Sequence, residues 1–338
     1  MKVLIDSYDK VMQNPAGGVQ MRIANLSQYL EKYCEIKKYD KWNDKISDYD
    51  VIHVFRLGVD RYDIIKYAKS VGLKVVLSPI IPDDFHSLEV LVNRCISKLP
   101  VMTGYKFLKQ IMEMADYILP QNSIERENII KVYGIDKSKI QVMQNGCSFD
   151  FKQKDNLFRD KFSIKEDYVL CVGRFDKNKN QLNLIKALKG LGIKVVLVGG
   201  EDLVDKEYFL QCKREADDNF IFTGWIDNKD PLLKSAYQNA KVVVLPSHKE
   251  IFGNSYVEGG CAGANTAVTS SLPTVRDYGL EPYTKTFNPS NTKSIRESVI
   301  EAFFADYSYE SKKIFTDTFS WENVATEHYN IYSKLLGM

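Results

Sequence analysis

The chain has 338 residues, 44% hydrophobic and 27% charged, which excludes the disordered and membrane-spanning classes and leaves room for two α/β domains. With 46 Lys and Arg against 44 Asp and Glu the net charge is +2, so no overall charge points to nucleic acid, and any attraction to a partner must come from a local patch. Six cysteines without a C-x-x-C pair and only four histidines argue against structural zinc and suit a reducing, cytoplasmic setting.

The first apolar run, Val3-Leu4-Ile5, is cut by Asp6, short of a signal-peptide core. Short apolar runs then alternate with helical patterns, the signature of parallel sheets with crossover helices. Strands are expected at 3–5, 51–54, 75–77, 117–119 and 140–143, and helices at 18–30, 64–71, 107–114 and 124–132. Ser123 is offered as the N-cap of the last helix and Gly134 as its stop. Residues 148–167 are charged, with little apolar periodicity, and read as an interdomain linker. A second series follows, with strands at 168–172, 194–198, 220–222, 242–245 and 266–269 and helices at 182–189, 207–217, 231–239 and 256–262. The expected fold is therefore α/β: two Rossmann-like, doubly wound domains with a site at the carboxyl ends of their strands.

Three segments carry candidate chemistry. The first runs from Pro246-Ser247-His248-Lys249-Glu250 through Ile251-Phe252-Gly253-Asn254-Ser255 to Glu258, after one strand and into a helix. It sets two carboxylates eight positions apart, with main-chain N–H groups near Gly253–Ser255 at a helix N-terminus where a diphosphate could sit. An acidic loop followed by an ordinary amphipathic helix is the plainer reading of the same residues. The second is Gly173-Arg174-Phe175-Asp176-Lys177-Asn178-Lys179, where a glycine turn lets Arg174 and Lys179 converge on one anion. Read alone, it is also a solvated basic turn. The third is Asn14-Pro15-Ala16-Gly17-Gly18-Val19, a glycine pair that opens the first helix and either approaches a ligand or makes a tight turn. It is not G-x-G-x-x-G, which disfavours a nicotinamide dehydrogenase.

In their order along the chain these segments resemble glycosyltransferase family 4, the large retaining group of GT-B fold. They are joined by Asp50-Val51-Ile52-His53, Asn145-Gly146, Phe222-Thr223-Gly224-Trp225 and Phe319-Ser320-Trp321-Glu322. The resemblance implies an N-terminal acceptor-side domain over 1–150, rejoined by a final helix at about 321–338. It implies a nucleotide-sugar-binding domain over 151–320, the two facing across a cleft. It further implies that Arg174 and Lys179 bind the donor diphosphate behind Gly173, and that Glu250 contacts the transferred sugar. Glu258 would bind the ribose, Gly224 and Trp225 would lie near the base, and Ile251, Phe252, Gly253, Asn254 and Ser255 would line the nucleotide sugar. Gly17 and Gly18 would lie against the donor from the other domain.

The implied activity is retaining transfer from a nucleoside-diphosphate sugar, UDP favoured over GDP, to a saccharide or lipid-linked saccharide in polysaccharide or glycolipid synthesis. No metal and no cofactor beyond the donor substrate are implied. The family's first-domain His is missing or shifted in Leu77-Ser78-Pro79-Ile80-Ile81-Pro82-Asp83-Asp84; Asp83, Asp84 and His86 are the nearby polar candidates, and they read more simply as surface turn residues. His53, at the end of an apolar strand, reads as a structural histidine. From Leu91 to Gln110 four basic residues and no acid interleave with apolar ones, a pattern for peripheral contact with an anionic membrane or for a half-exposed helical hairpin. The rival functions are a degenerate nucleotide-sugar-binding scaffold and a nucleotide-sugar epimerase.

Overall fold

A computed structural model describes residues 1–9, 17–81, 103–151, 153–201, 205–306 and 309–338. The chain forms two compact units, Met1–Gly146 with Ser320–Met338, and Cys147–Phe319.

In the first unit β1 (Lys2–Ser7) precedes α1 (Gly18–Leu30), β2 (Glu35–Lys38) and β3 (Val51–Phe55). Then come α2 (Tyr62–Ser70), β4 (Lys74–Ser78), α3 (Gly104–Met114), β5 (Tyr117–Ile118) and α4 (Ser123–Tyr133). The strands pair in parallel in the order β2-β1-β3-β4-β5. β1, β3 and β4 are Val/Ile/Leu-rich and buried on both faces, as a sheet covered by helices requires. β2 escaped the sequence reading because Glu35-Ile36-Lys37-Lys38 is an exposed edge with no apolar run to detect.

Two local expectations are corrected. Residues 140–143 are not a strand: Gln141 N donates to Ile118 O at 3.1 Å and Met143 N to Pro120 O at 2.8 Å, but the ladder stops at one bridge, Ile118 with Ile140. Pro120 has no N–H to return a bond. The N-cap of α4 is Asn122, not Ser123; its Oδ1 accepts from Glu125 N at 2.7 Å. The fully buried Glu125 accepts in turn from Gln121 N and Ile81 N, each at 2.7 Å, which ties the start of α4 to the chain just after β4. Gly134 ends the helix in the left-handed region, φ 70°.

The second unit begins with the stretch read as a linker, which is instead part of its core. α5 (Leu157–Phe162) lies within it, and Phe151, Phe158 and Ile164 are buried. A few aromatic anchors in a charged segment are enough to seat it, although they leave no periodicity to read. There follow β6 (Tyr168–Val172), α6 (Gln181–Leu188), β7 (Lys194–Val198), α7 (Lys206–Glu215), β8 (Phe220–Gly224) and α8 (Pro231–Asn239). Phe158 N donates to Ser235 Oγ at 3.0 Å and Asn239 Nδ2 to Asp155 O at 2.7 Å, so the segment is fastened onto α8. The unit continues through β9 (Val242–Leu245), α9 (Asn254–Ala262), β10 (Asn265–Thr269), α10 (Pro273–Asp277), β11 (Thr284–Phe287), α11 (Thr292–Phe304) and α12 (Tyr309–Thr318). Its six parallel strands run β11-β10-β9-β6-β7-β8.

The last helix, α13 (Trp321–Leu336), packs on the first unit. Trp321 stacks on Tyr29 at 6.5 Å between ring centroids, and His53 Nδ1 lies 2.7 Å from the Tyr332 hydroxyl.

Close packing of α9 depends on two adjacent glycines. A Cβ on Gly260 would lie 2.2 Å from the buried Phe315 ring, and one on Gly259 would lie 2.6 Å from Val243. Gly260→Ala is therefore expected to destabilise the fold by about 1–3 kcal/mol through overpacking. Gly104→Ala, at the start of α3 with nothing within 4 Å of the new methyl, should be neutral or stabilising. Thermal midpoints of the two variants check the contrast.

Candidate functional site

The second sheet reverses direction at β6: β7 and β8 follow on one side, while β9 returns to the other. Open parallel sheets bind ligands beyond the carboxyl ends of the strands at such a switch point. The loops that leave β6 and β9 meet there and are stitched together. His248 N donates to Asn178 O at 2.7 Å, Asn178 Nδ2 to Lys249 O at 3.0 Å, Lys249 N to Asn178 Oδ1 at 3.1 Å, and Asn180 Nδ2 to Pro246 O at 2.9 Å. Asn180 sits in the left-handed region at φ 60°, which Asn tolerates better than most residues.

This stitching brings two charged residues from the sequence reading, Lys179 and Glu250, together, with Arg174 in the same β6 loop. Lys179 Nζ pairs with Glu250 Oε1, and the same oxygen accepts from Ser247 Oγ at 2.7 Å. Arg174 stands nearby in sequence with its side chain 61% exposed, its Nε and NH2 each 3.3 Å from Asp176 Oδ2. The other oxygen of Asp176 accepts Lys179 N at 2.9 Å, so one carboxylate ties the turn and steadies the arginine. A guanidinium offers a planar fork of N–H donors that matches phosphate oxygens.

Glycines let the neighbouring loops close up. Gly199 has φ 152°, and a Cβ there would lie 2.0 Å from Gly173 O. Gly199 N donates to Gly224 O at 3.0 Å. Gly224 turns at φ 77° and presents Trp225, 54% exposed, beside Gly200.

α9 begins at Gly253, φ 77°, with no side-chain cap, so the positive end of its dipole lies at the mouth of the β9 loop. Asn254 and Ser255 form its first turn and are half-buried, as is Ile251 before them. The ring of Phe252 is buried in the core edge-on to Phe319, 5.7 Å between centroids, which leaves its main-chain atoms for a ligand. Glu258 lies one turn further on. Burial pushes its carboxyl up to about 7, against hydroxyl contacts from Tyr237 and Ser148 that favour the carboxylate.

The remaining candidates belong to the first unit or lie outside the described residues. Gly17 caps α1 in the first unit at φ 172°, extended backbone that any residue adopts, and among the described residues a Cβ there would meet nothing within 4 Å. Gly18 is the first residue of that helix. His53 is fully buried, with Nδ1 against Tyr332 and Nε2 2.9 Å from Ser78 Oγ, and burial holds it well below the usual histidine range. Ala16, Asp83, Asp84, His86 and residues 91–102 of the basic stretch lie outside the described residues. Its described end belongs to α3, where Tyr105 stacks on Tyr133 at 5.2 Å and Phe107 meets Tyr62 edge-on at 5.1 Å, so these rings pack against the fold.

Ser247, Asp176, Asn178 and Asn180 were not singled out from sequence. Asn178 and Asn180 act by pairing two loops about 70 positions apart, Asp176 and Ser247 by short-range bonds inside their own loops, and the one local signal was Asn180 before a helix, in a residue type that tolerates φ > 0. Among the described residues no three His, Cys, Asp or Glu side chains group as metal ligands, and no helix is long and apolar enough to cross a membrane.

Comparison with known proteins agrees with this geometry. Residues 153–307 match the family described as glycosyl transferases group 1. The chain is 26% identical to an uncharacterized glycosyltransferase of Methanocaldococcus jannaschii, over 83% of this chain and 78% of that one. It is 24% identical to O-antigen chain mannosyltransferase B of Escherichia coli, over 68% of this chain and 64% of that one. Anabaena HepE, solved in complex with UDP and glucose, shares the fold at a TM-score of 0.71 and 14% identity, over 99% of this chain and 100% of that one. Residues 153–307 are thus similar to glycosyl transferases group 1, and the two parallel-sheet α/β units share the GT-B fold of the solved glycosyltransferases.

Proposed function

We propose that this enzyme transfers a sugar from a UDP-sugar, with retention of anomeric configuration, to a hydroxyl of a saccharide or lipid-linked saccharide during polysaccharide or glycolipid synthesis. The observation that carries this reading is the arrangement of Lys179, Glu250 and Arg174 at the β6/β9 switch point, two cations and one carboxylate within stitched loops. The UDP bound to HepE and the O-antigen role named for the mannosyltransferase support the donor base and the pathway class.

In this mechanism Arg174 and Lys179 hold the diphosphate, and the dipole of α9 adds positive potential at Gly253–Ser255. As the bond from the anomeric carbon to the diphosphate oxygen breaks, negative charge grows on the leaving group beside these cations, and positive charge grows on the sugar beside Glu250. The acceptor oxygen bonds to the anomeric carbon from the face the diphosphate leaves, its proton passes to a phosphate oxygen, and UDP departs. Trp225 would stack on the base, and Glu258 would accept from the ribose hydroxyls. Arg174 and Lys179 supply the charge neutralisation without calling on a metal ion.

Arg174→Ala should weaken UDP binding and turnover together. Glu250→Ala should cut turnover by ~100-fold while leaving UDP affinity nearly intact, since its contact strengthens only in the transition state. Proton NMR of the product, with UDP release followed in parallel, checks the reaction. An α-linked product from an α-linked donor is expected. An inverted linkage would overturn retention, an isomerised nucleotide sugar would mean an epimerase, and UDP binding without turnover would mean a scaffold.

Glu258 adds a pH dependence. Its folded carboxyl titrates near 7, above the unfolded value of 4.5, so its protonated form favours the fold; that contribution is complete below 4.5 and is lost as pH rises toward 7. Ribose hydroxyls donate to the carboxylate, so donor binding should release a proton below this range. UDP-sugar affinity, measured calorimetrically, should rise by up to about tenfold per pH unit below 7 and level off above it. Glu258→Gln should flatten the profile.

A further inference from the structure

The two oxygens of Glu250 are treated differently. Oε1 receives both Lys179 Nζ and Ser247 Oγ, the latter at 2.7 Å, whereas Oε2 accepts no hydrogen bond among the described residues and is not buried. The carboxylate is thus fastened by one oxygen and offers the other outward. Its two fastenings also differ in kind. Lys179 is a point charge on a flexible stem, its side chain 29% exposed. Ser247 is fully buried, directly after Pro246 at the end of β9, and its neutral hydroxyl reaches three residues along the loop to Glu250.

These differences matter if Lys179 has two anionic partners. A donor diphosphate carries more negative charge than the carboxylate and competes for the ammonium, and when Lys179 turns toward it Glu250 loses one of its two fastenings. The hydroxyl of Ser247 is not drawn away, because it carries no charge and is fully buried. We infer that Ser247 is a positioning residue: its buried hydroxyl holds Oε1 of Glu250 so that Oε2 stays presented to the transferred sugar after the donor diphosphate has taken Lys179. The inference rests on the donor-site reading above and adds to it a residue that touches no substrate. Ser247 also leaves the carboxylate its full charge, which a retained lysine would partly cancel just as positive charge develops on the sugar.

The test is a double-mutant cycle of Ser247→Ala and Glu250→Ala, with UDP release from UDP-glucose, UDP-galactose and UDP-N-acetylglucosamine assayed in turn and UDP affinity measured calorimetrically. Ångström-scale misplacement of a reacting group costs up to ~100-fold, so S247A should lower kcat by about 10- to 100-fold. UDP affinity and donor KM should stay within about threefold of wild type, because the nucleotide contacts are untouched. In the Glu250→Ala background S247A should cost nothing further, since there is no carboxylate left to hold. Wild-type kcat in S247A would overturn the inference, and so would the same fold-loss in both backgrounds, which marks a merely structural serine. If S247A melts below the assay temperature, Ser247→Cys, close in size and a weak donor, takes its place in the cycle with the same expectations. A wild-type enzyme that releases UDP from no donor sinks the function itself, before any variant is compared.

Discussion

The site depends on one ion pair made across two loops. Lys179 belongs to the turn after β6 and Glu250 to the turn after β9, and only the reversal of strand order at β6 makes these turns neighbours. Desolvated on one side and hydrogen-bonded by Ser247, the pair sits where a bare charge would be costly, and Asn178 and Asn180 hold the backbones that carry it. Arg174 is positioned by Asp176, whose second oxygen closes the turn that delivers Lys179. The fold thus supplies the place and the asparagines the alignment, and charge decides what can bind.

Much of this was legible in the sequence because the central strands of both sheets are buried on both faces. Val51-Ile52-His53-Val54-Phe55 and Val242-Val243-Val244-Leu245 are continuous apolar runs, and parallel strands covered by helices have no polar face to blur them. The edges were not legible. β2 and β11 each have a mostly solvated side, and Glu35-Ile36-Lys37-Lys38 or Thr284-Lys285-Thr286-Phe287 looks like loop to any reading based on hydrophobicity. Residues 148–167 misled for a related reason: Phe151, Phe158 and Ile164 anchor the segment through tertiary contacts that leave no period in the sequence.

The charged candidates, Arg174, Lys179, Glu250 and Glu258, stand out by residue type and by lying after the buried strands β6 and β9. The residues that set their geometry do not. Asn178 is an ordinary loop residue until the partner loop is beside it, Ser247 reaches Glu250 within its own loop, and the ring of Phe252 fills the core against Phe319. In the first unit His53 is spent on Tyr332 and Ser78, which joins β3 to β4 and to the returning helix α13. Depressed by burial, it stays neutral at physiological pH and serves packing.

The most direct test of the account is a titration of UDP, GDP and ADP followed by thermal midpoint, on wild type and on Lys179→Ala. A ligand at a hundredfold excess over its dissociation constant stabilises the native state by about 2.7 kcal/mol. The account predicts that UDP raises the midpoint of the wild type more than GDP or ADP does, and that most of this rise disappears in Lys179→Ala. An equal rise with and without Lys179 would mean that the nucleotide binds away from the β6/β9 switch point, and would contradict the assignment of these loops as the donor site.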